Sequence, residues 1–114
     1  MNDKAKSLLI VDDDMVYRQR LAQAMEKRGW AVRQAESVAA GIAAAKAEAP
    51  EYAVVDLRLN DGSGLDIVTE IRNVNADCRV VMLTGYGNIA TGAAATKHGA
   101  ADYLPKPADA DQVE

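Results

Sequence analysis

Five short apolar runs punctuate this chain of 114 residues, and a stretch of helical periodicity separates each run from the next. The runs are Ser7–Val11 (SLLIV), residues 30–35 (WAVRQA, the weakest), residues 52–55 closing on Asp56, residues 79–83 (RVVML) and residues 102–104. Near-continuous apolarity over three to six residues fits strands covered on both faces. The intervening segments read as helices. In residues 15–28, Tyr17, Leu21, Ala24 and Met25 fall on one helical face, and Gly29 follows as a left-handed terminator. Residues 38–49 start after Ser37, a good N-cap, and stop at Pro50. Residues 65–72 place Leu65, Val68 and Ile71 at helical spacing, and residues 89–98 run to Gly99. Strands and helices in strict alternation imply a parallel sheet, and right-handed crossovers turn that into a doubly wound α/β sandwich. The length suits one domain, 1–114.

A carboxyl or polar group closes four of these five runs. The first ends in Asp12-Asp13-Asp14, the third in Asp56, the fourth in Thr84, and the fifth runs into Lys106 between two prolines. In open α/β sheets ligands bind beyond the carboxyl ends of the strands, where the strand order reverses. If the first and third strands are neighbours, three or more carboxylates meet in one pocket. Crowded carboxylates repel and do not all stay ionised without a counter-charge. A hard divalent cation such as Mg²⁺, with oxygen ligands, resolves the conflict. One carboxylate is then free to attack phosphorus and form an aspartyl phosphate. The lysine would neutralise phosphoryl oxygens and the threonine would hydrogen-bond one of them.

The rest of the composition excludes other chemistries. Lys and Arg number 13 against 17 Asp and Glu, a net charge of −4, so this segment lacks the basic footprint of a nucleic-acid binder. No apolar run is long enough to span a membrane. The N-terminus MNDKAKSLLIV has no secretory apolar region, and a cytoplasmic location is expected. Cys78 and His98 are single, so neither a disulfide nor a Cys/His metal cluster can form within the chain. Cys78 reads as a small packing residue near a strand start and His98 as a solvated helix-end residue. Trp30 and Tyr52 read as partly buried packing residues, Asp61 as a turn former before Gly62, and Arg18, Arg20, Lys27 and Arg28 as a solvated helix face.

The set Asp12-Asp13, Asp56, Thr84 and Lys106-Pro107 resembles the receiver domain of two-component response regulators, over essentially the whole chain. The resemblance implies a flavodoxin-like (βα)5 fold with strand order 2-1-3-4-5. It makes Asp56 the phosphoacceptor, served by a histidine kinase. Asp12, Asp13, Asp56 and the backbone carbonyl of Arg58 become Mg²⁺ ligands. Thr84 and Tyr103 become the switch pair, Lys106 the phosphate partner, and the Lys106–Pro107 bond cis. The segment TGYGNIATGAAATKHGAADYLPKPADAD is similar to the redox-responsive global transcription regulators of α-proteobacteria, the RegA/PrrA/ActR type. That subgroup implies a C-terminal helix-turn-helix output domain, expected to be absent from this chain and to supply all DNA contact.

Two departures bear on the expectation. Asn60 stands four residues after Asp56, where many receivers carry Pro. Gly92 and Thr96 lie inside the fourth helix and are poor helix formers, so that helix is expected to be marginally ordered. After Pro107 only Ala108 to Glu114 remain, short of the ~10–12 residues of a closing helix. The chain is therefore expected to stop inside its fifth helix. This bears on dimerisation, which the resemblance places on helix four, strand five and helix five. Two rivals stay open. One is a pseudo-receiver that binds without phosphorylation. The other is a haloacid-dehalogenase-like phosphatase with Asp12 as nucleophile and Asp14 as general acid, which leaves Asp56 without a role.

Overall fold

A computed structural model describes residues 6–84 together with the strand at 102–105. The elements run β1 (Ser7–Val11), α1 (Met15–Lys27), β2 (Ala31–Ala35), α2 (Val38–Ala47), β3 (Tyr52–Asp56), β4 (Arg58–Leu59), β5 (Gly62–Ser63), α3 (Gly64–Val74), β6 (Arg79–Thr84) and β7 (Asp102–Pro105). Five strands form one sheet in the order β2-β1-β3-β6-β7, and every pairing in it is parallel. Counting only those five strands, this is the expected 2-1-3-4-5 order.

The chain leaves β1 toward β2 and then returns to the other side of β1 to lay down β3. Strand order therefore reverses between β1 and β3, and a crevice opens at their carboxyl ends. Alternation along each strand sorts the side chains into two layers. Leu8, Ile10, Val54 and Leu83 meet Leu21, Ala22 and Met25 of α1 on one face. Leu9, Val11, Ala53, Val55, Val80 and Met82 meet Ala45 of α2 and Ile67, Val68 and Ile71 of α3 on the other. Each fully buried Leu, Ile or Val contributes about 1.5–3 kcal/mol, so these layers hold the strand ends in place.

Local chemistry sets the helix ends. Asp14 caps α1 through Tyr17 N, Ser37 caps α2 through Ala40 N, and Ser63 caps α3 through Leu65 N. Gly29 has φ +92, the left-handed terminator expected after α1. Helix α2 ends two residues before the expected boundary, and Glu48 is already extended backbone. Trp30 packs edge-on against Tyr52 with ring centroids 4.9 Å apart, and both rings are partly buried.

The basic face of α1 departs from expectation at one position. Arg20, Lys27 and Arg28 are exposed, but Arg18 is buried with Leu21 and Met25. Its Nη1 donates to the Asp12 carbonyl at 2.9 Å and its Nε to Gln34 Oε1 at 3.0 Å. These bonds replace the water lost on burial.

Cys78 is buried just before β6, and burial pushes its thiol up to about 11. Little thiolate exists near neutral pH, and thiolate is the reactive form. Iodoacetamide at pH 8 should leave the native protein unlabelled and label it after unfolding in urea. Stoichiometric labelling of the native protein would contradict this placement.

Candidate functional site

The pocket at the switch point follows from register. Val11 stands opposite Val55 between β1 and β3, and Asp56 stands opposite Leu83 between β3 and β6. The residue after Val11 is thus carried beside Asp56. Asp12 is fully buried and Asp56 nearly so, while Asp13 is half-buried at the rim. One carboxylate oxygen from each of Asp12, Asp13 and Asp56 lies within 4.8 Å of the others. Carboxylates this close repel one another when ionised.

Backbone around each acid is well held. Asp12 N donates to the Ala35 carbonyl at 3.1 Å, and the Asp12 carbonyl accepts from Arg18. Asp12 Oδ1 accepts from Asp14 N at 2.9 Å. The Asp14 carboxylate accepts from Tyr17 N at 3.1 Å, and this cap engages the group that a phosphatase would use as its acid. Beyond Asp56, Leu57 N donates to the Leu83 carbonyl at 2.9 Å, so the β3–β6 ladder extends past the acid. Gly64 N then donates to the Leu57 carbonyl at 2.8 Å, folding the chain back into α3. Arg58 N donates to Asp56 Oδ1 at 3.3 Å, and the Arg58 side chain is exposed.

Between Asp56 and α3 the loop expected from Asn60, Asp61 and Gly62 is a small antiparallel hairpin, with Arg58 opposite Ser63 and Leu59 opposite Gly62. At its tip Asp61 does more than turn the chain. Its carboxylate accepts from Val38 N at 2.8 Å and Ala39 N at 3.1 Å, the first amides of α2. These bonds hold the Asp61 carboxyl below its ordinary value of 3.8. A lowered carboxyl pKa favours the fold above pH 3.8, and that contribution is lost as pH falls through the folded-state value.

Three of the expected site residues, Asp12, Asp13 and Asp56, are therefore brought together, and Arg58 follows two residues on. Thr84 closes β6, with its backbone paired to Pro105, and Tyr103 pairs with Met82 in β7. The side chains of Thr84 and Tyr103 lie outside the described residues, as do Lys106, the Lys106–Pro107 bond, the fourth helix at 89–98 and the region of the fifth. Two residues near the site were missed in the sequence. Arg18 lies three residues before Leu21 and seven before Met25, so helical spacing alone placed it on the buried face. Asp61 carried a weaker signal. The first amides of α2 need acceptors, and Ser37 supplies only one.

The three acids supply hard oxygen donors, at mutual distances compatible with one small divalent cation. Among the described residues no helix is long and apolar enough to cross a membrane.

Comparison with protein families matches residues 8–114 to the response regulator receiver domain. The acid tolerance regulatory protein ActR of Rhizobium meliloti is 63% identical over 108 residues, covering 95% of this chain and 56% of ActR. The photosynthetic apparatus regulatory protein RegA of Cereibacter sphaeroides is 61% identical over 108 residues, covering 95% of this chain and 59% of RegA. The chain thus spans less than two thirds of either relative's length. Among solved structures, a response regulator protein from Burkholderia pseudomallei superposes with a TM-score of 0.89 at 39% identity, covering 96% of this chain and 66% of that one. That protein was crystallised with a phosphorylated aspartic acid, a calcium ion and citrate.

Proposed function

Because the chain belongs to the response regulator receiver domain family, we propose that it accepts a phosphoryl group on Asp56 from a sensor histidine kinase, with Mg²⁺ held by Asp12, Asp13, Asp56 and the Arg58 carbonyl. The observation that carries this reading is the convergence of three carboxylates within 4.8 Å at the β1/β3 switch point. When bound, Mg²⁺ supplies positive charge against the carboxylates and the transferring phosphoryl oxygens.

The chain's own part is positioning. A carboxylate oxygen of Asp56 forms the bond to phosphorus as the phosphorus–nitrogen bond of the donor phosphohistidine breaks. The electron pair stays on the imidazole nitrogen, which takes its proton from solvent. Asp56 sits at a strand end fixed by the β3–β6 ladder, so its approach requires no loop ordering. Lys106 pairs with a phosphoryl oxygen and Thr84 hydrogen-bonds another. Tyr103 then turns inward as Thr84 moves, biasing a two-state equilibrium. Water later hydrolyses the acyl phosphate. This is signalling by phosphotransfer, as expected of a receiver, and not turnover of an external substrate.

Residues 1–114 form the receiver of a longer, cytoplasmic transcription regulator. Its DNA-binding output domain lies outside this chain, and its dimer forms on the face that the resemblance assigns to the segment 89–98, β7 and the segment after Pro107. The identity to ActR and RegA supports the output domain, since both names denote regulatory proteins that extend well beyond the matched region.

The test is intact mass after incubation with acetyl phosphate. With Mg²⁺ the protein gains one phosphoryl group, and with a chelator in excess it gains none. No gain in the presence of Mg²⁺ would contradict phosphorylation and leave a binding module with a receiver fold.

A further inference from the structure

We propose that Asp61 is a positioning residue for the metal pocket, latching the hairpin that carries Arg58 onto the N-terminus of α2. The proposal rests on the Mg²⁺ reading above and goes beyond it, because Asp61 lies outside the acidic cluster. The hairpin is too small to hold its shape alone, and buried Leu59 seats only its first strand in the core. Its strands, Arg58–Leu59 and Gly62–Ser63, have two residues each, and even a full-length isolated hairpin is only marginally stable. Asn60 adds no backbone restriction of the kind proline would impose.

One end of the hairpin is anchored by sequence-local contacts. Ser63 caps α3 and Gly64 N bonds the Leu57 carbonyl. The tip is anchored across the fold. Asp61 reaches back 23 and 22 residues to Val38 N and Ala39 N. Gly62 beside it sits against the same residue, since a Cβ there would lie 3.5 Å from Val38 Cγ2. The anchor point is itself rigid. A Cβ on Gly41 of α2 would lie 2.9 Å from Ile67 Cδ1 and 3.2 Å from Val11 Cγ2, so α2 is seated closely against both α3 and β1.

The latch therefore connects a docked helix to the strand that begins two residues after Asp56. Charge-assisted bonds to two helix amides are stronger and more directional than neutral ones. Holding the tip restricts the Arg58 peptide, and with it the carbonyl expected to face the ion. Groups that orient metal ligands in this way shift metal affinity without touching the metal.

The experiment measures the Mg²⁺ dissociation constant by calorimetry for the parent, Asp61→Ala, Asp61→Asn and Ser37→Ala. Phosphorylation rate against Mg²⁺ concentration is measured alongside. Asp61→Ala should weaken Mg²⁺ severalfold, toward the ~10-fold loss typical of groups that orient metal ligands. Its phosphorylation rate at saturating Mg²⁺ should return to the parental value. Asp61→Asn keeps one acceptor but loses the charge and the second acceptor, and should fall between the parent and Asp61→Ala. Ser37→Ala removes a cap from the same helix without freeing the hairpin, and should bind Mg²⁺ like the parent. Parental affinity in Asp61→Ala would overturn the proposal. An equal loss in Ser37→Ala would reduce the effect to helix capping and also overturn it. Failure of the parent itself to bind Mg²⁺ would overturn the metal reading and the latch with it.

Discussion

Asp56→Asn should abolish phosphoryl incorporation while leaving the protein folded and, without metal, more stable than the parent. The two halves of this result have one cause. The carboxylate is the nucleophile, and removing a nucleophile from a site whose parts act together costs on the order of 10⁴ or more in rate. It is also one of three acids with ligand oxygens within 4.8 Å. Neutralising it removes repulsion between neighbouring carboxylates, which water at the half-buried Asp13 already weakens. Asparagine keeps the Oδ1 acceptor for Arg58 N, so the hairpin bond survives. Urea unfolding without Mg²⁺ should show a higher midpoint for the variant, and added Mg²⁺ should stabilise it less than the parent. Lost incorporation in a protein more stable than the parent cannot be blamed on misfolding. Incorporation that persists would move the nucleophile to the Asp12–Asp14 cluster and revive the phosphatase alternative.

Gly64→Ala should destabilise the fold by about 2–4 kcal/mol, the range of severe overpacking at a rigid contact. Gly64 opens α3 directly over the phosphoacceptor strand. A Cβ there would collide with the Asp56 carbonyl oxygen and lie 2.9 Å from Val55 Cγ1 and 3.0 Å from the Asp56 carbonyl carbon. The first and last of these atoms are backbone, and they cannot step aside as a side-chain tip can. Relief requires moving β3 or the start of α3, so the folded fraction should also phosphorylate more slowly. Gly29→Ala is the control. A Cβ at Gly29 would meet nothing within 4 Å, and the cost there comes from φ +92 alone. That cost is about 1 kcal/mol, without effect on phosphorylation. Equal, small effects at both positions would contradict the close approach at Gly64.

The alternation of apolar runs and helical faces made the sheet legible because each element carries its own period. Leu8 and Ile10 face one layer, and Leu9 and Val11 face the other. The acid cluster was legible for a related reason, since strand ends in a doubly wound sheet converge whatever the intervening residues do. What escaped was non-local. Arg18 shares the spacing of the buried face, but its charge reads as solvated until the Asp12 carbonyl and Gln34 are brought to it. Asp61 looks like a turn former until the start of α2 arrives 22 and 23 residues away in sequence. The β4–β5 hairpin escaped because two residues per strand display no period at all. Gly64 entered α3 one residue earlier than Leu65 because the Ser63 cap sets that boundary, not the apolar pattern.

The most direct measurement is the location of the phosphoryl group. The protein is treated with acetyl phosphate and Mg²⁺, then with borohydride, which reduces an acyl phosphate to the alcohol and so converts a phosphorylated aspartate to homoserine. Proteolysis and tandem mass spectrometry then read the modified position. Homoserine is expected at Asp56, none at Asp12, Asp13 or Asp14, and none anywhere when Mg²⁺ is chelated. Homoserine within Asp12–Asp14, or its absence from Asp56 in the presence of Mg²⁺, would contradict it.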